Sequence, residues 1–281
     1  MPDRIPGDTQ GPTGSGDPAI PDAPARDGSP TLRVCALYPD LMNIYADRGN
    51  LIVLEHRCAW RGIGFQLSSS GLGEQLDGEV HDLFYIGGGQ DRDQRLCAED
   101  LIENKRAGLQ AAAAREAVVL GVCGGYQLLG HSYTLGEEDI PGVGLLDVRT
   151  VREDGHRLIG NVAIEVKLED GQSTDHVEGG NGDGVLAGFE NHGGRTYLDA
   201  GQAPLGRVLK GYGNDGRGGL EGARSGNTIG TYLHGPLLPK NIWFADWLIA
   251  RALGLTPAEL APLNDEIERR THLSARHAAG V

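Results

Sequence analysis

The sequence predicts an α/β fold in which a mostly parallel sheet is flanked by helices and followed by a β-rich second half. Short apolar runs rich in β-branched residues, such as 117–122, alternate with helical patterns in the first half of the chain. This alternation is typical of parallel sheets covered on both faces. After Gly136 the pattern changes to strands separated by glycine-rich loops. The 45 glycines among 281 residues indicate many turns rather than long helices.

The elements follow one another along the chain. In the first half, strands are predicted at 32–38, 64–70, 81–86 and 117–122. Leu51, Leu54 and Cys58 share one helical face after the first strand, and a long helical pattern covers 93–115. In the second half, strands are predicted at 144–148, 158–166 and 228–233, and a helix with an apolar face at 243–253.

Composition divides the chain into three parts. Residues 1–30 hold seven of the 14 prolines and no aromatic residue, which predicts a disordered N-terminal tail. Residues 31–255 carry the strands and helices and form the predicted domain. Residues 256–281 are charged and weakly helical in pattern, and we interpret them as a C-terminal tail.

Charge and hydropathy exclude several classes of function. A net charge of −14 and a pI near 5.0 argue against a nucleic-acid partner. No apolar run approaches the roughly 18–20 residues of a membrane span, and the N-terminus lacks a signal-peptide pattern. The four cysteines form no CxxC pair. We therefore expect a reduced, cytoplasmic protein without integral membrane contact.

The segment 117–130 predicts a strand, a tight turn and a helix, with Cys123 at the turn. A side chain on such a turn is exposed at the carboxyl edge of the sheet. Gly121, Gly124 and Gly125 permit strained dihedrals and close approach of a substrate. The start of the helix favours a thiolate, which is the nucleophilic form of cysteine. The alternative is that Cys123 is a small buried hydrophobic residue.

Two further strand ends carry polar or glycine-rich groups. Gly87, Gly88 and Gly89 follow the third strand and offer backbone N–H groups of the kind that form an oxyanion hole, or else an ordinary turn. His234 follows the last strand, and it is the best candidate for the base that a cysteine nucleophile requires. His192 is the second candidate. A structural role for His234 remains the alternative.

Taken together, these motifs resemble those of the class I (triad) glutamine amidotransferases. Residues 121–127, GVCGGYQ, are similar to the nucleophile motif, and 232–235, YLHG, to the histidine motif. Residues 43–50, NIYADRGN, and 189–196, FENHGGRT, are similar to the cobyric-acid-synthase-like branch. Within that branch the resemblance is greatest to the glutaminase subunits of lipid II isoglutaminyl synthase, the GatD type.

The resemblance implies roles for individual residues. Cys123 would attack the glutamine side-chain amide and His234 would serve as base and then acid. The N–H groups near Gly88, Gly89 and Gly124 would stabilise the oxyanion. The residues that would bind L-glutamine are Arg157, which would hold the α-carboxylate, and Gln127 and His192, which would line the pocket.

The resemblance also implies a partner. Most class I members have a glutamate two residues after the histidine, where this chain has Pro236. In the GatD type, a Mur-ligase-like subunit of the MurT type supplies an aspartate in trans and completes a heterodimer; an acid within this chain is the alternative. No GxxxxGK[ST] run is present. We therefore expect no cofactor and no metal on this chain, with ATP and Mg on the partner subunit.

Three other functions are compatible with the same residues. The first is an amidotransferase for a cobyrinic-acid-like acceptor, whose relatives usually carry a fused synthetase domain. The second is a cysteine hydrolase that transfers no ammonia. The third is a non-catalytic binding module, which the missing local acid favours and the paired Cys123 and His234 disfavour.

Overall fold

A computed structural model describes residues 28–44, 48–135, 138–168 and 184–281. Its centre is a six-stranded sheet. The sheet is built from β1 (Thr31–Leu37), β2 (Gly64–Ser70), β3 (Leu83–Ile86), β4 (Val118–Val122), β13 (Ala223–Ser225) and β14 (Thr228–Thr231), in the order β13-β14-β4-β3-β1-β2. All neighbours pair in parallel except the edge strand β13. The mostly parallel sheet expected from the sequence is present.

Helices flank this sheet because its central strands are buried on both faces. They are α1 (Arg48–Arg61), α2 (Asp91–Asp100), α3 (Arg106–Ala114), α4 (Gly124–Leu129) and α5 (Ile242–Ala252). Every residue of β3, β4 and β14 is buried. The helix predicted over 93–115 is interrupted by one π-helical stretch, Leu101–Lys105, between α2 and α3.

The second half of the chain forms two four-stranded sheets, as its β-rich pattern predicts. One contains β5 (Ser132–Leu135), β6 (Glu138–Pro141), β7 (Val148–Arg152) and β10 (Gly194–Leu198), in the order β10-β7-β5-β6. The other contains β8 (Leu158–Val166), β9 (Val185–His192), β11 (Gly206–Lys210) and β12 (Leu220–Glu221), in the order β12-β11-β8-β9.

Two stretches differ from the sequence expectation. The strand predicted at 144–148 begins only at Val148, because the N–H groups of Leu145 and Leu146 turn back to the carbonyl of Leu129 at the end of α4. Most of the predicted N-terminal tail, residues 1–27, lies outside the described residues. The segment 256–281, interpreted as a tail, contains a 14-residue helix, α6 (Glu266–Ala279), which packs against β8 and β9.

Candidate active site

Cys123 lies at a sharp turn between β4 and α4. Its φ of 53° and ψ of −107° lie in a region that side chains rarely adopt. Backbone hydrogen bonds to two neighbouring strands hold the turn. Cys123 N–H donates to the carbonyl of Thr231 at 2.8 Å, and Gly125 N–H donates to the carbonyl of Gly87 at 3.0 Å. A Cβ at Gly125 would lie 2.3 Å from the carbonyl oxygen of Ile86, so this turn requires glycine.

His234 reaches the same edge of the sheet from the neighbouring strand. In the parallel pairing of β4 with β14, Val122 lies opposite Thr231, and each chain then leaves the sheet in the same direction. His234 next pairs with Phe189 of β9, through backbone hydrogen bonds of 2.9 and 3.1 Å. The histidine is therefore held between the central sheet and the sheet that contains β9.

The surroundings of His234 favour a neutral imidazole. Its side chain is fully buried. Its pKa is lowered from 6.5 to about 4, chiefly by burial, and the nearby His192, Lys240 and Arg157 contribute to this shift. At neutral pH the ring can accept a proton, which a general base must do.

A narrow cleft of about 40 Å³ opens beside Cys123. This volume holds about three water molecules. Five of the residues singled out in the sequence line it: Cys123, Gly89, Gln127, Arg157 and His192. Two others adjoin this wall: Gly124 follows Cys123, and the carbonyl of Gly88 accepts from the lining residue Ile44. His234 does not line the cleft; its backbone pairs with Phe189, three residues before the lining residue His192.

Arg157 and His192 approach the cleft from the β-rich half. Arg157 Nε donates to Asn191 Oδ1 at 2.9 Å and Nη2 to the Asn191 carbonyl at 3.0 Å. Its Nη1 lies 3.4 Å from the position of a Cβ on Gly193. His192 Nδ1 donates to the carbonyl of Gly194 at 2.9 Å, and its ring stacks on Tyr232 with centroids 3.6 Å apart.

A buried chain of polar groups runs behind the cleft. Gln94 Nε2 donates to Gln127 Oε1 at 2.7 Å, and Gln127 Nε2 donates to the hydroxyl of Tyr232 at 3.1 Å. That hydroxyl lies 2.6 Å from Thr196 Oγ1, which lies 2.7 Å from Thr150 Oγ1. These hydrogen bonds link α2 and α4 to the segment that carries His234, so they fix the position of the helix after Cys123 relative to this histidine.

Glu221 holds the same segment from the other side. Its carboxyl accepts the N–H of Tyr232 at 2.6 Å and the hydroxyl of Thr231 at 3.0 Å. Burial raises the pKa of Glu221 from 4.5 to about 8, and the nearby carboxylate of Glu190 contributes. Glu221 supports the backbone that leads to His234.

Comparison with known protein families identifies the family to which this chain belongs. Residues 33–242 match the CobB/CobQ-like glutamine amidotransferase domain. The chain belongs to this family. The matched range includes the three sheets of the amidotransferase and every residue of the cleft.

Two relatives of this amidotransferase match it over most of both chains. The lipid II isoglutaminyl synthase (glutamine-hydrolyzing) subunit GatD of Staphylococcus aureus is 37% identical, over 87% of this chain and 93% of the relative. The subunit of the same name in Streptococcus pneumoniae is 35% identical, over 79% and 80%. A structure of PurLQS from Thermotoga maritima shares the fold, with a TM-score of 0.51 and 22% identity over 73% of this chain and 87% of that one. The predicted fold class is confirmed.

Several residues in or behind the amidotransferase cleft received no role from the sequence patterns. Gln94, Asn191, Gly194 and Tyr232 contact or line it, yet only the last three lie in recognised motifs. A signal for Gln94 existed in the helical pattern: it shares a face with buried Cys97, Ala98 and Leu101, where an amide is unexpected.

Proposed function

We propose that this chain is the glutaminase subunit of a lipid II isoglutaminyl synthase. It hydrolyses L-glutamine and supplies ammonia to a Mur-ligase-like partner of the MurT type, which amidates the α-carboxyl of D-glutamate in the lipid II stem peptide. The observation that carries this proposal is Cys123 on its strained turn, beside Gly89 and Gln127, in a chain that matches GatD subunits over most of its length.

The reaction follows from the chemistry of the cleft residues. Cys123 Sγ attacks the carboxamide carbon while His234 takes its proton, and the N–H groups of Gly88, Gly89 and Gly124 stabilise the oxyanion. The C–N bond then breaks and His234 protonates the leaving nitrogen, which departs as ammonia. Water, deprotonated by His234, cleaves the thioester and releases glutamate. Arg157 Nη1 is available for the α-carboxylate, and Gln127 and His192 form the wall of the pocket.

The partner completes the reaction in two ways. Pro236 occupies the place of the acid that orients the histidine in most class I members, and we infer that the partner supplies a carboxylate there. ATP and Mg act on the ligase subunit, where they activate the acceptor carboxyl. Among the described ranges, none of the helices is both long and apolar enough to cross a bilayer. We place the complex in the cytoplasm, peripheral at the inner face of the membrane.

The test measures glutamate release from L-glutamine by the purified full chain, alone and with its ligase subunit. We expect the partner to stimulate hydrolysis strongly and Cys123→Ala to abolish it. Cys58→Ala is the matched control, because Cys58 is a buried cysteine on α1 outside the cleft. Amidation of lipid II by the complex, dependent on glutamine and ATP, tests the acceptor.

Each of the other outcomes would change one part of this proposal. Full glutaminase activity without the partner would place the third acid in this chain. Glutamine hydrolysis without amidation of lipid II would favour another acceptor, such as a cobyrinic-acid-like one. Hydrolysis of other substrates only would indicate a cysteine hydrolase, and no activity in folded protein would indicate a binding module.

A further inference from the structure

Gln94 is a buried polar side chain that faces the cleft of Cys123. It lies on α2, is 2% exposed, and lines the cleft together with Cys123 and Gly89. Its helix contributes apolar residues to the core from the same face. A buried amide is stable only when its polar atoms have partners, so the partners of Gln94 indicate its role.

Within the described part of the chain, hydrogen bonds hold the NH2 group of Gln94 but not its carbonyl oxygen. Nε2 donates to Gln127 Oε1 at 2.7 Å and to the carbonyl of Gly124 at 3.4 Å. Oε1 accepts no hydrogen bond from any residue within 28–44, 48–135, 138–168 or 184–281. The side chain thus turns an acceptor, held in place by two bonds, toward the cleft.

This acceptor lies beside the backbone donor expected to bind the oxyanion. A Cβ built on Gly124 would lie 3.2 Å from Gln94 Oε1 and 3.1 Å from Gly89 N. Gln94 Oε1 and Gly89 N thus lie within 3.2 Å of one point beside Gly124, and Gln94 and Gly89 both line the cleft. A primary carboxamide carries a carbonyl acceptor and an NH2 donor, so it complements this pair. An ester offers the carbonyl alone.

We propose that Gln94 Oε1 accepts a hydrogen bond from the carboxamide NH2 of the substrate and thereby selects amides over esters. This inference rests on the glutaminase function proposed above. In acylation the bond between Cys123 Sγ and the carboxamide carbon forms, the C–N bond breaks, and the nitrogen keeps the electron pair and takes a proton from His234. Gln94 exchanges no proton. It restrains the NH2 group, so that the nitrogen presents its developing lone pair in one direction.

The test compares L-glutamine with L-glutamate γ-methyl ester, whose leaving group has no N–H. Both are hydrolysed by the full chain with its ligase subunit, as wild type and as Gln94→Met. We expect the variant to lower kcat/KM for glutamine roughly 10- to 100-fold, as for a lost hydrogen bond in a buried site. The value for the ester should fall much less, because that substrate never used the acceptor, so that the amide-to-ester ratio of kcat/KM drops at least about 10-fold. Any loss common to both substrates reports the lost bond to Gln127. Gln90→Met is the matched control, an exposed glutamine one turn earlier, and should alter neither value.

Two results would overturn the inference. An equal loss for amide and ester would mean that Gln94 only supports Gln127, and Gln94→Ala gives the same comparison if the methionine variant does not fold. A wild-type complex that hydrolyses neither substrate would remove the glutaminase proposal and this inference together.

Discussion

Cys123 carries its sulfur on a backbone conformation that side chains rarely adopt. Among the described residues, only Tyr38 and Glu116 are other non-glycine residues with positive φ. Such conformations cost about 1–3 kcal/mol each and persist where the surrounding structure enforces them. Here the bond from Cys123 N–H to the Thr231 carbonyl contributes to that enforcement. A cysteine that only filled space would not require this strain, so the geometry favours the nucleophile over the buried hydrophobic alternative.

The ionisation of His234 gives a prediction at the same scale. With a pKa lowered to about 4, chiefly by burial, the free chain should keep a neutral imidazole from pH 7 down to about pH 5. Because the unfolded chain takes up this proton near pH ~6.5, the histidine's contribution to stability is complete above that pH and is lost as pH falls toward 4. NMR titration of the His234 ring in the isolated chain measures the midpoint.

The histidine signal is assigned by its disappearance in His234→Gln. Addition of a partner that supplies a carboxylate should raise the midpoint, since an opposite charge favours the imidazolium. A midpoint at or above the ordinary histidine value in the isolated chain would contradict the burial described for this ring.

Sequence patterns could identify Cys123 and His234 because each follows an apolar strand directly. Gln94 and Glu221 could not be identified in this way. Gln94 acts on Gln127, 33 residues away, and Glu221 on Tyr232 across a turn between strands. Contacts of this kind depend on how elements pack, which local periodicity does not encode.

At the scale of elements, periodicity located most strands and missed a break in a helix. The pattern over 93–115 is continuous, yet the chain forms a π-helical stretch at Leu101–Lys105. Lys105 is fully buried there, and its ammonium group binds Asp100 Oδ2 at 2.5 Å and the carbonyls of Gly71 and Glu74. This buried cation binds one carboxylate five residues earlier and two carbonyls of the distant segment 71–74. We infer that these contacts account for the irregular turn.

The turn that presents Cys123 gives a prediction for Gly125. Gly125→Ala would place a methyl group 2.3 Å from the Ile86 carbonyl oxygen, and 3.0 Å from that of Gly87. We expect a loss of about 1–3 kcal/mol in the free energy of unfolding, as for overpacked cores, together with loss of glutaminase activity. Urea denaturation and glutamate release measure the two effects.

Gly71→Ala is the control for this substitution, because a Cβ there would meet only Glu74 Oε1, at 3.9 Å. It should leave the free energy of unfolding within about 0.5 kcal/mol of the wild-type value. Equal behaviour of the two variants would show that the strand–turn–helix junction tolerates a side chain and is looser than described.

At the scale of the whole molecule, one buried arginine joins three distant segments. Arg57 of α1 donates to Asp246 of α5 and to Asp265, directly before α6. The distances to the two carboxylates are 2.5 and 2.6 Å, and the guanidinium is 1% exposed. The C-terminal segment is thereby fixed to the domain.

We expect Arg57→Met to destabilise the fold by about 1.5–3 kcal/mol, because charge-assisted hydrogen bonds to two partly buried carboxylates are lost, while Asp246 keeps its pair with Arg61 at 2.7 Å. It should also expose α6 to limited proteolysis before the rest of the chain. Arg33→Met is the control: the Arg33–Asp82 pair is 45% exposed on the arginine side and should contribute at most about 1 kcal/mol. Similar losses in both variants would refute a special role for Arg57.

The overall architecture was predictable to the level of layers. Alternating strands and helices indicated the parallel sheet, and the change in pattern after Gly136 indicated the β-rich half. The division of that half into two sheets was not predictable, since strand order depends on pairings between distant residues. The packing of α6 escaped prediction because its charged surface masks the two residues it buries, His272 and Ala279.

The backbone pairing of His234 with Phe189 has a mechanical consequence. Cys123 follows a strand of the central sheet, whereas the backbone of His234, the proposed base, also pairs with a second sheet, on which α6 packs. A relative movement of the two sheets would change the position of His234 relative to Cys123. A ligase subunit that bound the second sheet would therefore couple glutamine hydrolysis to the presence of the enzyme that uses the ammonia.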